Sequence, residues 1–143
     1  MLFSKKAEYA CVAMLDLAVR HQSPQPVRLK AIADANEIPD RFLVQIMLQL
    51  KGAGLVLSTR GASGGYLLAT PPDKISLASI IDVIDRTDPP PPETVSPTAS
   101  ILVRTIREAW GDILQAQRRI LETTTLADLV RRSETVNDFA YQI

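Results

Sequence analysis

The stretch Asp40-Arg41-Phe42-Leu43-Val44-Gln45-Ile46-Met47-Leu48-Gln49-Leu50-Lys51-Gly52-Ala53-Gly54-Leu55-Val56-Leu57-Ser58-Thr59-Arg60-Gly61-Ala62-Ser63-Gly64-Gly65-Tyr66-Leu67-Leu68-Ala69 decides how this chain is read. Its first part spaces Leu43, Ile46, Met47 and Leu50 three and four apart, which predicts a helix over 40–51 with one apolar face. Gly52 and Gly54 can adopt the left-handed conformation that ends such a helix. From residue 55 the period changes. Residues 55–60 and 66–69 are short and rich in strand formers, and the glycine-rich tip between them predicts a hairpin. A phosphate-binding loop is a poorer account of the glycines, because no Gly-Lys-Ser/Thr follows and a strand rather than a helix comes next.

Working upstream, Glu37-Ile38-Pro39 leaves room only for a tight turn, preceded by a short helix over 29–36 with Leu29, Ile32 and Ala33 inward. An earlier helix opens at Ser4, whose hydroxyl can cap free amides, and is expected to run to about residue 21. Ala7, Cys11, Met14, Leu15 and Ala18 share one of its faces, and Pro24 and Pro26 stop it. His21 would lie in its last turn, where a cation suits the helix dipole. Helix, short helix, tight turn, helix and hairpin, in that order, predict a winged helix-turn-helix.

Downstream, Ile75-Ser76 reads as a hydrophobic staple and N-cap, Ile75 packing on Ile80, for a helix that carries Leu77, Ile80, Ile81 and Ile84 inward and ends near residue 86. Residues 87–98 hold Pro89 to Pro92 in a row and Pro97, a composition that favours an extended linker. Leu102, Ile106, Ala109, Ile113, Ala116 and Ile120 then alternate at spacings of four and three, a heptad seam along one long helix. Thr125-Leu126-Ala127-Asp128 forms a capping box that opens a short helix through about residue 132, and the last ten residues carry no strong signal. The fold class is therefore mainly α with a small β-hairpin wing: a winged helix-turn-helix over 1–86, a proline-rich linker over 87–98, and a dimerisation helix with a short helix after it over 99–143.

Composition narrows the function. No run approaches eighteen consecutive apolar residues, and the N-terminus lacks a signal peptide's apolar stretch, so a soluble cytoplasmic protein without membrane partners is expected. One cysteine, Cys11, and one histidine, His21, leave no multi-cysteine metal site within a chain and no workable nucleophile–base pair, which argues against an enzyme. Net charge is zero, yet residues 1–75 carry nine bases against six acids while the remainder carries seven against ten. A basic module followed by an acidic one suits a nucleic-acid reader joined to an oligomerising or sensing part, although two ordinary solvated surfaces account for the charges equally well.

On the 40–51 helix, Arg41 and Gln45 lie four apart and away from the apolar stripe. Arg can grip guanine O6 and N7, and Gln can grip adenine N6 and N7; the plain alternative is that both solvate a surface helix. Arg60-Gly61 puts a cation on a slim ribbon end able to enter a minor groove, where a narrow groove concentrates negative potential.

These residues resemble a family. Ser4-Lys5-Lys6-Ala7-Glu8-Tyr9-Ala10, Ala31-Ile32-Ala33, and Ile38-Pro39 followed by Phe42-Leu43-Val44-Gln45-Ile46 match its pattern. So do Gly54-Leu55-Val56, Ser58-x-Arg60-Gly61-x-x-Gly64-Gly65-Tyr66-x-Leu68-Ala69, Ile75-Ser76-Leu77, Trp110 with Asp112, and Thr125 to Val130. The chain is similar to the Rrf-two family of bacterial transcription regulators. The resemblance implies a homodimer in which long C-terminal helices cross and two winged domains bind half-sites of an imperfect palindrome in double-stranded DNA, acting as a repressor. The apolar seam supports a dimer independently, because an exposed seam needs a partner; packing on its own N-terminal domain is the alternative. In this reading Lys5, Lys6, Arg28 and Lys51 meet phosphates, Arg41, Phe42 and Gln45 read base edges, Ser58 belongs to the wing contacts, and Arg60-Gly61 enters the minor groove. Trp110 is expected to pack in the dimer core.

One departure matters. Cluster-binding members carry three cysteines in the segment that is 87–98 here, and this chain has none there, so no family-type iron–sulfur cluster or other cofactor is expected. Glu8 matches a position that supplies a carboxylate ligand in some members and is expected to be a surface or salt-bridging acid. Cys11 is expected to be a buried thiol of high pKa. A metal held by Cys11 and Glu8 across a dimer is a less favoured reading. The rival class is a winged module that binds a protein or a metabolite without DNA; the effector, if one exists, is either a small molecule or a partner protein.

Overall fold

The computed structural model describes residues 3–22, 25–85 and 95–141 of the 143-residue chain, 138–141 by backbone alone. The expected linker therefore lies outside the described residues through position 94, as do the stop at Pro24 and the helix end at Arg86.

Helix α1 (Lys5–Val19) starts where Ser4 Oγ accepts the Ala7 amide at 3.0 Å. It ends earlier than expected, so His21 lies beyond its last turn and caps with backbone rather than charge, its N–H donating to the Ala18 carbonyl at 3.1 Å. Its buried face is also wider than the single stripe expected. Ala10, Ala13 and Leu17 join Ala7, Met14 and Ala18 in the core, while Cys11 and Leu15 are half-buried. The cause is position: α1 is the central element, packed by other helices on more than one side, and its alanines permit close approach.

Helix α2 (Leu29–Asn36) and helix α3 (Asp40–Gly52) are joined by a turn in which Glu37 takes the left-handed conformation, φ 54°, Ile38 is buried, and Pro39 caps α3. Leu43, Ile46, Met47 and Leu50 are all fully buried. Gly54, at φ 79°, turns the chain out of α3 and into the wing; Gly52 remains helical. Strands β1 (Val56–Thr59) and β2 (Gly65–Leu68) pair antiparallel, Val56 opposite Leu68 and Ser58 opposite Tyr66. A third segment joins them. Val27 exchanges two backbone hydrogen bonds with Tyr66, at 2.9 and 2.8 Å, and so stitches the approach to α2 onto the wing.

After a 3-10 turn at Pro72–Lys74, Ser76 Oγ accepts the Ser79 amide at 3.2 Å and opens helix α4 (Leu77–Asp85). Ile75 and Ile80, the expected staple pair, both lie in the buried core. Helix α5 (Ile101–Thr123) is capped by Ser100 and packs along α4, where Arg118 grips Asp82 with two hydrogen bonds, 2.8 and 2.7 Å. That hydrogen bonding holds the Asp82 carboxyl below the usual carboxylate range.

The chain then returns to the core built by α1 to α4. Thr124 and Leu126 bond to Leu77 and Ile75 across a β-bridge, and Leu126 is wholly buried in the same core as α1 and α3. Helix α6 (Leu126–Tyr141) is opened by the expected capping box: Asp128 Oδ2 accepts the Thr125 amide at 2.9 Å, and Thr125 Oγ1 accepts the Asp128 amide at 3.2 Å. At 16 residues it is not the short helix expected through residue 132. Its contacts with the core come from Leu126 and Val130 in the first turns, and residues 131–137 continue the helix exposed. Thr125→Ala is expected to cost about 1 kcal/mol of stability, read as a shifted urea midpoint at unchanged slope.

Candidate nucleic-acid interface

The four buried residues of α3 fix its phase. The opposite arc carries Arg41, Gln45 and Leu48, all exposed, with Val44 on one edge and Phe42 on the other. The Arg41 guanidinium lies 5.2 Å from the centre of the Phe42 ring, a stacking contact that restricts the long side chain before it meets a target. The Phe42 ring, 40% exposed, stands beside Arg41. The acids at the start of this helix are not left bare. Lys30 Nζ sits 3.2 Å from Asp34 and 3.7 Å from Asp40, which offsets negative charge where a polyanion would approach. Lys30 is a residue that the sequence reading passed over.

The wing brings two cations together. Arg28, at the N-cap of α2, donates from its guanidinium to the Ala62 carbonyl at the wing tip. Arg28 and Arg60 line one open cleft with Gln25, Pro26, Thr59, Ser63 and Gly64. Arg28 is thus a brace for the wing as well as a cation, which its expected role as a phosphate contact did not include. Arg60 is exposed and has no hydrogen-bond or ion-pair partner among the described residues. Gly61, at φ 106°, has open space around it, Ser58 is half-buried in the ladder, and Lys51 is exposed in the last turn of α3.

Lys5 pairs with Glu8 at 3.2 Å and lies over the Tyr9 ring, Lys6 is half-buried, and Ser4 anchors this end of α1 to Asp85. Glu8 is the salt-bridging acid expected. The Cys11 thiol is pushed up to about 11 by burial, then by the nearby Asp85 and Glu8 carboxylates. Among the described residues nothing covers the seam of α5: none of the helix's residues is buried, and Leu102, Ile106, Ile113 and Ile120 are 54–73% exposed. Trp110, expected to pack, is 59% exposed on the single chain.

A phased helix presenting Arg and Gln, reached through a tight turn and flanked by a cationic hairpin, defines a winged helix-turn-helix transcriptional regulator rather than an enzyme. Residues 3–132 match the Rrf2 family, described as an iron-dependent transcriptional regulator, and the chain belongs to that family. It is 37% identical over 131 residues to the HTH-type transcriptional regulator CymR of Bacillus subtilis (strain 168), covering 90% of this chain and 89% of that protein. Among solved structures it is similar to CymR (YrzC), the global cysteine regulator of B. subtilis, with a TM-score of 0.80, 36% identity, and coverage of 91% of this chain and 96% of that one. It is also similar to T. potens IscR, with a TM-score of 0.76, 32% identity, and coverage of 93% and 88%.

The residues present do not fit an iron–sulfur cluster held by one chain. Such clusters need several thiolates, whereas this chain has one cysteine, held protonated. Among the described residues no three His, Cys, Asp or Glu side chains converge. No described helix is long and apolar enough to cross a membrane.

Proposed function

We propose that the protein is a cytoplasmic, homodimeric, sequence-specific repressor that acts on double-stranded DNA. In this reading α3 lies in the major groove with Arg41 and Gln45 on base edges, and the wing carries Arg60 and Gly61 into the adjacent minor groove. Residues 1–86 form the DNA-binding unit, 87–98 the connection, and 99–143 the dimerising part. Two copies related by a two-fold axis place two α3 helices on half-sites of an imperfect palindrome. Repression follows by occupancy, since a dimer seated on a promoter excludes other proteins from the same grooves.

The observation that carries the reading is the pairing of a hydrogen-bonding α3 face with an arginine on the neighbouring wing that has no partner among the described residues. The naked face of α5 supports the dimer. Arg60→Ala is expected to weaken binding of a selected duplex about tenfold and to lower its salt dependence. Arg41→Ala and Gln45→Ala are expected to relax base preference at one position each, measured by competition among single-base variants. Binding that ignores salt would move the protein to the class that engages a protein or metabolite; preference unchanged in both α3 variants would remove the base-reading assignment.

A further inference from the structure

The outward arc of α3 is not wholly polar. Leu48, 59% exposed, lies on the same line as Arg41 and Gln45, and Val44, 44% exposed, stands one turn before it. The core beneath is closed without them, since Leu43, Ile46, Met47 and Leu50 have no exposed surface. Two branched apolar side chains at i and i+4 form one continuous apolar step beside Arg41 and Gln45, across the arc from Phe42.

The groove supplies one matching chemistry. Base edges offer donors and acceptors, and the thymine 5-methyl is the apolar group among them. Arg41 before this step and Lys51 after it, both exposed, make the surroundings suited to a polyanion rather than to an apolar protein face. Val44 and Leu48 are separated by about 6 Å along the helix axis, close to two base-pair rises.

We infer that Val44 and Leu48 read thymine methyl groups, so that each half-site carries thymines beside the bases engaged by Arg41 and Gln45. This rests on the DNA-binding reading above and adds a specificity that hydrogen bonding alone does not provide. The test begins with a duplex selected from a randomised pool by the full-length protein. Each thymine is then replaced singly by deoxyuracil, which deletes the methyl and leaves the hydrogen-bonding edge intact. The parent is expected to lose about fourfold in affinity at one or two thymines per half-site, the equivalent of unburying one methyl group. Val44→Ala is expected to lose that sensitivity at one position and Leu48→Ala at another. Both sites are exposed, and circular dichroism of each variant confirms that α3 is retained. Indifference of the parent to every replacement overturns the inference while the selected site upholds DNA binding. Alanine variants that keep the parent's full methyl sensitivity also overturn it. A pool that yields no preferred sequence overturns the DNA-binding reading, and this inference with it.

Discussion

A variant carrying Ile106→Glu together with Ile113→Glu is expected to be monomeric and to bind a full palindrome roughly 10²–10⁴-fold more weakly than the parent. In the single chain both isoleucines are more than half exposed, so the carboxylates cost the protomer little. In the proposed dimer the same positions would lie on the shared seam with Ala109 and Ala116, whose small side chains would let two helices approach. Four carboxylates would there lose water without gaining partners. The loss of affinity is a loss of linkage: each winged unit keeps its contacts, but the second half-site no longer binds at a raised effective concentration. Light scattering after size exclusion reads the mass, and fluorescence anisotropy reads binding to full and half sites. Unchanged affinity for an isolated half-site, with cooperative unfolding, shows that α1 to α4 are intact. A variant that remains dimeric would place the interface elsewhere, and a monomer that holds the full site as tightly as the parent would end the two-half-site proposal.

Gly65→Ala is expected to destabilise the fold by about 3 kcal/mol or more. Gly65 has φ +151°, a conformation that side chains rarely adopt, and an added Cβ would lie 2.6 Å from both the carbonyl carbon and the oxygen of Val27. Those are backbone atoms of the segment that exchanges two hydrogen bonds with Tyr66, so relief requires the third segment to leave the wing. Arg28 follows Val27 directly and braces the tip through Ala62, so the same substitution should also release the wing from its DNA-binding position. Differential scanning calorimetry is expected to show a fall in Tm of roughly 10 °C, and DNA affinity should drop with the salt slope, as for Arg60→Ala. Gly52→Ala serves as the control: nothing lies within 4 Å of the added Cβ, and its helical backbone accepts alanine. A Gly65→Ala protein as stable as the parent would mean that Val27 is not held on β2 in solution.

Much of the fold was legible because its signals are local. The stripe of Leu43, Ile46, Met47 and Leu50 needs about two turns of helix to be read, and the caps at Ser4 and Ser76 and the Thr125–Asp128 box need about one. Arg41 and Gln45 followed from that stripe by complement. Leu48 followed from the same complement but drew no attention, because a leucine in a helix is assigned to the core until the phase shows otherwise. The role of Arg28 as a brace was out of reach, since its acceptor at Ala62 lies 34 residues away. The grip of Arg118 on Asp82, 36 residues apart, was hidden for the same reason. The length of α6 was underestimated because residues 131–137 are exposed and so carry no buried stripe for a periodicity to reveal.

By itself the sequence determined the kind and order of the elements, the hairpin that follows α3, the apolar character of the α5 seam, and the lack of thiolates for a cluster. Only the tertiary structure decided which side of α3 faces outward beyond its stripe, that Val27 completes the wing, that Leu126 closes the core formed by α1 to α4, and that nothing among the described residues covers the α5 seam. The division has one physical cause. Propensity, capping and periodicity act over a few neighbouring residues, whereas burial is a property of surfaces brought together from distant parts of the chain, and it is burial that leaves some apolar side chains facing out for a partner.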